Sequence, residues 1–306
     1  MSAPIPVTII GGYLGAGKTT LVNHLLRNSG GRRLAILVNE FGELPIDEDL
    51  IIDESGDGFI SIAGGCICCS YGSDLIETLS ELPKLASPPD QIVIEASGVA
   101  LPDSVAGSVS LIAEFRIDGV VVLADATDVI ERGADRYMSD TITRQLNAAG
   151  LLMVSKLDLV DNARAEEVRA WVQEHSPTAA LIESRPSDVS VDVVLGLHGE
   201  RWVEASEGAS EHDTSVYETH HWHIRAPVSI AELRQVFSVP IPGLLRAKGF
   251  MHNEHEVLTT VQYAGQRFES EPAPEGAKAG FVCIGLSNAL KLDSINAVLG
   301  PPGHQH

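Results

Sequence analysis

The stretch GYLGAGKT at residues 12–19 decides the fold, because it fits the pattern G-x-x-x-x-G-K-[S/T] at every fixed position. A strand-like run, VTII at 7–10, precedes it, and the amphipathic segment TLVNHLLRN at 20–28 follows it. In this context the pattern is typical of a loop whose backbone N–H groups surround phosphate oxygens at a helix N-terminus. Full agreement with the pattern argues against a glycine-rich turn that binds nothing.

Each polar group of this loop has a predicted role in binding a nucleoside triphosphate. The backbone N–H groups of Gly15, Gly17 and Lys18 are expected to surround the phosphates, and the Lys18 ammonium to neutralise the β- and γ-phosphates. The Thr19 hydroxyl is expected to ligate Mg²⁺. The predicted phosphate-binding set is completed by Gly12, Ala16 and Thr20.

Short apolar runs alternate with helical segments through the first two-thirds of the chain. The runs are nearly continuous in apolar residues, as strands buried on both faces are. Segments 71–82 and 162–175 show helical periodicity between them, which predicts parallel crossovers. We therefore predict an α/β fold, a P-loop NTPase with a doubly wound, mostly parallel sheet. Its further strands are predicted at 34–39, 91–97, 119–126 and 151–156.

The pattern changes after EASEGASEHDTS at 204–215, a polar stretch without periodicity that is typical of a linker. Beyond it, strand-like runs dominate and helical periodicity is confined to 229–237 and 288–299. This order predicts a small α+β C-terminal domain with an antiparallel sheet. The predicted boundaries are 1–203 for the first domain, 204–215 for the linker and 216–306 for the second domain. The strands of the second domain are predicted at 216–224, 244–251, 257–265, 267–271 and 279–286.

The amino-acid composition limits the classes of partner and indicates the cellular compartment. The chain has 306 residues, 44% of them hydrophobic, and a formal net charge of -21. Such an acidic balance argues against a nucleic acid or an anionic membrane as the main partner, since both attract lysine and arginine. No stretch approaches the roughly 18 apolar residues of a membrane helix, and the start lacks an export signal. We therefore expect a cytoplasmic protein with no membrane partner.

The segment SKLD at 155–158 is expected to select the base. A carboxylate at Asp158 can accept hydrogen bonds from N1 and N2 of guanine, donors that adenine lacks, and Lys156 can lay its stem along the base plane. Ser155 stands where the usual GTPase segment has Asn, which predicts weaker bracing of the loop and softer specificity. A chance match to so short a pattern stays open.

The segment VIEASG at 93–98 ends a predicted strand beside the strand that leads into the phosphate loop. NTPases place an acid there that orients Mg²⁺ through water, and Glu95 is the candidate. Gly98 can offer its backbone N–H to the γ-phosphate. The alternative is that Glu95 caps the next segment.

Three of the four cysteines, Cys66, Cys68 and Cys69, lie within GGCICCS at 64–70. Cytosolic thiols stay reduced, so a disulfide framework is not expected, and clustered thiolates can hold a soft cation such as Zn²⁺. Three sulfurs leave one tetrahedral position for Glu43, water or a client residue. A redox-active or unoccupied loop is the alternative. Cys283, in an apolar run, is predicted to pack in the core.

Four histidines gather within a dozen residues near the linker, and two of them form a candidate metal pair. Strand alternation would place His221 and His223 on one face, although solvated surface histidines are the favoured interpretation. The group consists of His212, His220, His221 and His223.

Taken together, GYLGAGKTT, VNEFGELPID at 38–47, GGCICCS, EASG, SKLD and LLRAKGF resemble the CobW-like GTPases over nearly the whole chain. Those proteins are relatives of the nickel-insertion GTPases. The resemblance implies GTP hydrolysis, with GTP, GDP and Mg²⁺ bound, coupled to handling zinc or cobalt for a client metalloprotein. By position, Cys66, Cys68 and Cys69 match the family's metal motif.

The same resemblance identifies NEFGE at 39–43 as a nucleotide-sensing switch, with Glu40 and Glu43 as oxygen ligands or water-orienting groups. Pro45 stands where the family often has Gly, and Val38 where some relatives have an acid. The leading hypothesis is a GTP-driven metallochaperone, with a homo-oligomer allowed. A zinc-sensing regulatory GTP-binding protein and an ATP-dependent small-molecule kinase or ATPase are the alternatives.

Overall fold

A computed structural model of the chain describes residues 4–38, 59–63, 79–196, 216–264, 267–274 and 276–302, with the backbone alone for 59–63. These residues fall into two compact units, divided between Val194 and Leu195. The predicted linker at 204–215 and the predicted end of the first domain at 203 lie outside the described residues. Within the described parts of the chain, no helix is long and apolar enough to cross a membrane.

The first unit is built on a seven-stranded sheet in the order β3-β2-β4-β1-β5-β6-β7, and every pairing in it is parallel. This confirms the predicted doubly wound sheet. Strands β2, β4 and β6 are buried along their whole length, as continuous apolar runs require. The strands are β1 Ile5–Gly12, β2 Leu34–Val38, β3 Phe59–Ala63, β4 Gln91–Glu95, β5 Phe115–Asp125, β6 Leu151–Ser155 and β7 Ala180–Glu183.

Helices of the first unit connect these parallel strands. Helix α1 buries Leu21 and Leu25, four residues apart, as its amphipathic pattern predicts. Helix α5 has the predicted bounds, and the Asp161 side chain caps it by accepting the Arg164 N–H at 2.8 Å. The helices are α1 Lys18–Arg27, α2 Pro102–Val109, α3 Val129–Ala134, α4 Ser139–Ala148, α5 Asn162–His175 and α6 Val191–Leu195.

Helices α2, α3 and α4 are absent from the sequence prediction. Each of them carries only two large apolar side chains, whereas α1 carries four, so their helical period is weak. The core of the first unit nevertheless depends on them, because Val105, Ile142 and Leu146 are buried in it.

The second unit is a five-stranded antiparallel sheet in the order β11-β10-β9-β12-β8, which confirms the predicted α+β architecture. Its helices are α7 Ile230–Val236 and α8 Asp293–Leu299. Helix α8 begins five residues later than predicted, because the Lys291 N–H donates to the Pro242 carbonyl instead of extending the helix. The strands are β8 Tyr217–Trp222, β9 Leu244–His252, β10 Leu258–Ala264, β11 Arg267–Pro272 and β12 Gly280–Leu286.

Aromatic side chains fill the core of the second unit. The Phe237 ring stacks on Tyr263 at a centroid distance of 4.7 Å and on Phe268 at 5.5 Å. Cys283 is fully buried in this core as a free thiol, as predicted, and burial raises its pKa well above the ordinary value. A neutral thiol of this kind contributes packing rather than reactivity.

Candidate functional site

The phosphate loop links the end of β1 to the start of α1, and its shape requires two glycines. Gly12 has φ 126°, and a Cβ there would lie 2.5 Å from the Leu123 carbonyl oxygen. Gly17 has φ 101° and forms the cap of α1, where a Cβ would lie 2.9 Å from Pro186 Cγ. Any side chain at these positions would therefore be strained and crowded.

The lysine of this loop is held against the loop backbone. The Lys18 Nζ donates to the Tyr13 carbonyl at 3.2 Å, and the Ala16 N–H donates to the same oxygen at 3.2 Å. Lys18 is 5% exposed. A positive charge and the N-terminus of α1 thus lie together at one turn, which favours an anion.

Thr19 and Glu95 are brought together as the predicted strand order requires. Strand β4 pairs with β1 in parallel, with Ile10 opposite Glu95. The Thr19 hydroxyl donates to Glu95 Oε1 at 3.1 Å, and the Glu95 side chain is fully buried. Because the hydroxyl hydrogen points at the carboxylate, the lone pairs of Thr19 Oγ1 point elsewhere and can ligate a cation. The pair therefore fits Mg²⁺, which prefers oxygen ligands.

The alternative role for Glu95, as a cap of the next segment, is not seen at the helix that follows. Helix α2 begins at Pro102 with Leu101 at its cap position, and no side chain caps it. The loop that joins Glu95 to α2 carries Gly98 close to the phosphate loop, because a Cβ on Gly98 would lie 2.6 Å from Leu14 Cγ.

Ser155 joins the predicted base-binding segment to the phosphate loop. It is fully buried at the end of β6, and its hydroxyl lies 2.9 Å from the Ala16 carbonyl oxygen and 3.3 Å from that of Ala124. A hydroxyl has one hydrogen to donate, whereas the amide of an asparagine has two. Bracing between the two loops is therefore present but limited to one donor.

Asp125 is a site residue that the sequence analysis missed. It ends β5 opposite Ser155, and its carboxylate lies 2.5 Å from Lys156 Nζ and accepts from the Thr127 N–H at 2.9 Å and the Thr127 hydroxyl at 2.6 Å. Burial alone would raise the pKa of Asp125, but the bonds from Lys156 and Thr127 outweigh it, so the pKa lies below its ordinary value. The signal for it was an acid at the end of the apolar run GVVVLAD.

This buried carboxylate explains the backbone of the base-binding segment. Lys156 has φ 59°, one of two non-glycine residues with positive φ in the described part of the chain. Such a conformation is unfavourable without compensating contacts, and the ion pair with Asp125 supplies one. Lys156 is thereby held at the edge of the sheet.

Asp158, the predicted reader of guanine, lies in a 3₁₀ turn at Leu157–Leu159. Its Oδ2 accepts from Arg185 Nη2 at 2.9 Å, and both side chains are largely exposed. The Arg185 contact was not predicted. The segment after β7 that carries Arg185 also carries Pro186, which packs near Gly17 of the phosphate loop.

The predicted transition-metal ligands and one of the histidines are not among the residues that the structure describes. Among those it does describe, His, Cys, Asp and Glu side chains form no group of three or more that could hold a metal ion. Strand β8 ends at Trp222, so His223 lies one residue beyond the strand that was predicted to carry both His221 and His223. The residues outside the described ranges are Glu40, Glu43, Cys66, Cys68, Cys69 and His212.

Comparison with known proteins places both units in recognised families. Residues 6–183 match the nucleotide-binding domain described as CobW/HypB/UreG, and residues 217–297 match the C-terminal domain of the cobalamin synthesis protein CobW.

Individual relatives extend along both units. The zinc chaperone CobW of a Sinorhizobium species is 31% identical over 290 residues, which are 85% of this chain and 81% of that protein. The zinc-regulated GTPase metalloprotein activator 1 of Dictyostelium discoideum is 26% identical over 80% of this chain and 62% of its own length. The crystal structure of the Zn(II)-bound YjiA GTPase from E. coli shares the fold, with a TM-score of 0.50 and 24% identity over 97% of this chain and 98% of the other.

Proposed function

We propose that this chain, which belongs to the CobW/HypB/UreG family, is a GTP-hydrolysing metallochaperone. It binds a transition metal, zinc or alternatively cobalt, through its C-x-C-C motif and delivers it to a client metalloprotein in the cytoplasm. The observation that carries the nucleotide part is the meeting of the phosphate loop, the Thr19–Glu95 pair and the SKLD segment at one edge of the parallel sheet.

The phosphates of GTP bind to the loop between β1 and α1. Backbone N–H groups at the start of α1 donate to phosphate oxygens, and the macrodipole favours their charge. On binding, the Lys18 ammonium exchanges its contact with the Tyr13 carbonyl for the β- and γ-phosphates. The Lys18 ammonium thereby stabilises the negative charge that develops on the phosphate oxygens during transfer of the γ-phosphoryl group to water.

The Thr19 hydroxyl and the Glu95 carboxylate are the groups that hold Mg²⁺ in this proposal. When bound, Mg²⁺ neutralises charge on the β- and γ-phosphate oxygens. Thr19 would keep its hydrogen on Glu95 and offer a lone pair to the ion, and the fully buried Glu95 would orient the ion through water.

Guanine is read by Asp158, which accepts from the N1 and N2 donors of the base. Asp125 supports this step, because it holds Lys156 beside the base-binding turn. Ser155 ties the same turn to the Ala16 carbonyl, so the distance between base site and phosphate site is fixed by one buried hydrogen bond. An ATP-dependent kinase is disfavoured, since adenine offers Asp158 no matching pair of donors.

The transition metal is the cargo, and Cys66, Cys68 and Cys69 are its proposed ligands. Thiolates are soft donors that suit zinc, and Glu43 or Glu40 can supply an oxygen. Support comes from the relatives, which are named zinc chaperone and zinc-regulated GTPase metalloprotein activator. Those names also favour the second candidate, a zinc-sensing regulatory GTP-binding protein.

Nucleotide and metal are coupled in the proposal because the switch at 39–43 and the cysteine motif at 64–70 both lie, in the sequence, between Thr19 and Glu95. GTP orders the switch, which favours the holding geometry of the metal site, and loss of the γ-phosphate relaxes it. By linkage, metal occupancy then changes GTP affinity by the same factor.

Purified protein tests the proposal through two independent readouts, nucleotide turnover and metal content. We expect GTP to be hydrolysed in preference to ATP, together with bound zinc that is lost when Cys66, Cys68 or Cys69 is changed to Ser. Cys283→Ala is the matched control, because this thiol is buried in the other unit and its removal leaves the zinc content unchanged. Turnover of ATP in place of GTP, or zinc retained by all three Ser variants, contradicts the proposal.

A further inference from the structure

The loop between β4 and α2, residues 96–101, is held by a buried amide that plays no part in the roles assigned so far. Gln145 lies on α4 and is 1% exposed. Its Nε2 donates to the Gly98 carbonyl at 3.1 Å and to the Ala100 carbonyl at 2.8 Å. A primary amide has two N–H donors, and both are directed at this one loop.

The other side of the loop is fixed as well. The Ala96 N–H donates to the Ile10 carbonyl at 2.9 Å, and the Ala100 N–H donates to the Ser97 carbonyl at 3.0 Å. Gly98 packs against Leu14 of the phosphate loop so closely that no Cβ fits. The backbone at Gly98 is thus clamped between the phosphate loop and α4.

A second observation indicates that this loop is built to meet a ligand. Ser97 is 6% exposed, and its Oγ has no hydrogen-bond partner among the residues that the structure describes. Buried hydroxyls are almost always paired, so this one is available to a group that the described residues do not supply.

We propose that Gln145 is a positioning residue that sets the Gly98 loop for recognition of the γ-phosphate. The inference rests on the proposed function, in which the Gly98 N–H donates to that phosphate. Hydrogen bonds prefer donor angles above about 150° and weaken steeply below about 120°, so the peptide must be oriented before GTP arrives. Without Gln145, the buried Gly98 carbonyl and the partly buried Ala100 carbonyl lose their donor and the loop turns toward water, which disturbs contacts that GTP makes and GDP does not.

The test compares affinities for GDP and for a non-hydrolysable GTP analogue in the full chain and in Gln145→Met, which keeps the length of the side chain but has no donor. We expect affinity for the analogue to fall about tenfold and that for GDP to change by less than about twofold. Gln91→Met is the matched control, because Gln91 is 2% exposed, donates to Thr8 Oγ1 at 3.1 Å and lies at the other end of β4. The ratio of the affinity for the analogue to the affinity for GDP is expected to be the same in Gln91→Met as in the wild type.

The inference is overturned if the ratio of analogue affinity to GDP affinity is unchanged in Gln145→Met. It is also overturned if this ratio falls by the same factor in Gln91→Met. Wild-type protein that binds neither guanine nucleotide overturns the proposed function instead, so the two failures are distinguishable. Should Gln145→Met not fold, hydrogen exchange of the wild type decides. Amides of 98–101 and of 142–148 are expected to gain protection together when the analogue replaces GDP, and protection confined to the phosphate loop contradicts the role of Gln145.

Discussion

The two sheets of this protein differ in where they place polar side chains. In the parallel sheet, Glu95, Asp125 and Ser155 stand at the carboxyl ends of three strands, and each is buried and bonded to a neighbouring loop or helix start. In the antiparallel sheet, Trp222 and Phe281 pack edge to face at 5.7 Å in the core. Its buried polar side chains lie within β9 and β10 instead of after the last residue of an apolar run, and they are Arg246, Thr259, Thr260 and Gln262.

This difference follows from strand direction. Parallel strands bring all their carboxyl ends to one edge, so the residue after each apolar run meets the residues after its neighbours. Antiparallel strands alternate their ends, and their buried face is occupied by side chains that pack against helices. We therefore expect nucleotide binding to depend on polar side chains of the first unit, and the aromatic core of the second unit to contribute stability alone. Four substitutions test this expectation.

The largest effect on folding is expected from Phe237→Ala in the second unit. Phe237 is 2% exposed and stacks on two rings, so its removal is expected to cost about 3–5 kcal/mol of the free energy of unfolding of that unit. Hydrogen exchange resolved by peptide measures this loss. Nucleotide affinity measured at a temperature where the variant is folded should equal that of the wild type, and a large drop would break the comparison.

Lys18→Ala is expected to have the largest effect on nucleotide binding. Removing one partner of a charge-assisted contact costs about 2–5 kcal/mol, which weakens GTP affinity about 30-fold to several thousand-fold. Titration calorimetry measures this change. Lys84→Ala is the control, because Lys84 forms an exposed ion pair with Glu81 in the same unit, and a comparable loss there would refute the assignment.

Asp125→Asn is expected to weaken guanine nucleotide binding about tenfold, since Lys156 loses a buried carboxylate partner at a partly exposed pair. The control is Asp118→Asn, a buried acid near the start of the same strand beside Arg116. Equal losses in both variants would show that the effect reflects the stability of β5 and not the base-binding turn.

The lowered pKa of Asp125 predicts that the free energy of unfolding depends on pH. The pKa of Asp125 is lower in the folded protein than in the unfolded chain, so its contribution is complete above about pH 4 and is lost as the pH falls through the folded value. The difference in free energy of unfolding between wild type and Asp125→Asn should therefore narrow below about pH 4 in urea titrations. If this difference in free energy of unfolding widens as the pH falls, the prediction is contradicted.

Ser155→Ala is expected to have the smallest effect. Loss of the hydrogen bond to the Ala16 carbonyl costs about 1 kcal/mol, or roughly fivefold in GTP affinity. Ser176→Ala removes an equally buried hydroxyl that donates to the Leu146 carbonyl at 2.8 Å, and it should leave affinity unchanged. If nucleotide titrations give the same GTP affinity for Ser155→Ala and Ser176→Ala, Ser155 has no specific role in nucleotide binding.

Features that depend on short stretches of chain could be predicted from the sequence. The phosphate loop, α5 and the apolar strands are specified by residues close together, and the pairing of β1 with β4 follows from the rules of doubly wound sheets. The place of Glu95 beside Thr19 was predictable because it depends on strand order.

Features that depend on register or on packing between distant elements could not be predicted. Asp125 meets Lys156 because β5 and β6 align Asp125 with Ser155, and no local pattern shows that alignment. Gln145 contacts a loop 45 residues away, and its helix α4 has only two large apolar side chains, Ile142 and Leu146, to mark a helical period. Likewise, α8 is shortened by a contact between Lys291 and Pro242.

The central claim is that nucleotide state controls metal affinity within the first unit. Zinc affinity measured by competition with a chromophoric chelator, once with GDP bound and once with a non-hydrolysable GTP analogue, tests it most directly. The account predicts that zinc binds more tightly with the analogue, and that zinc raises affinity for the analogue over GDP by the same factor. Equal zinc affinities in the two nucleotide states would contradict it.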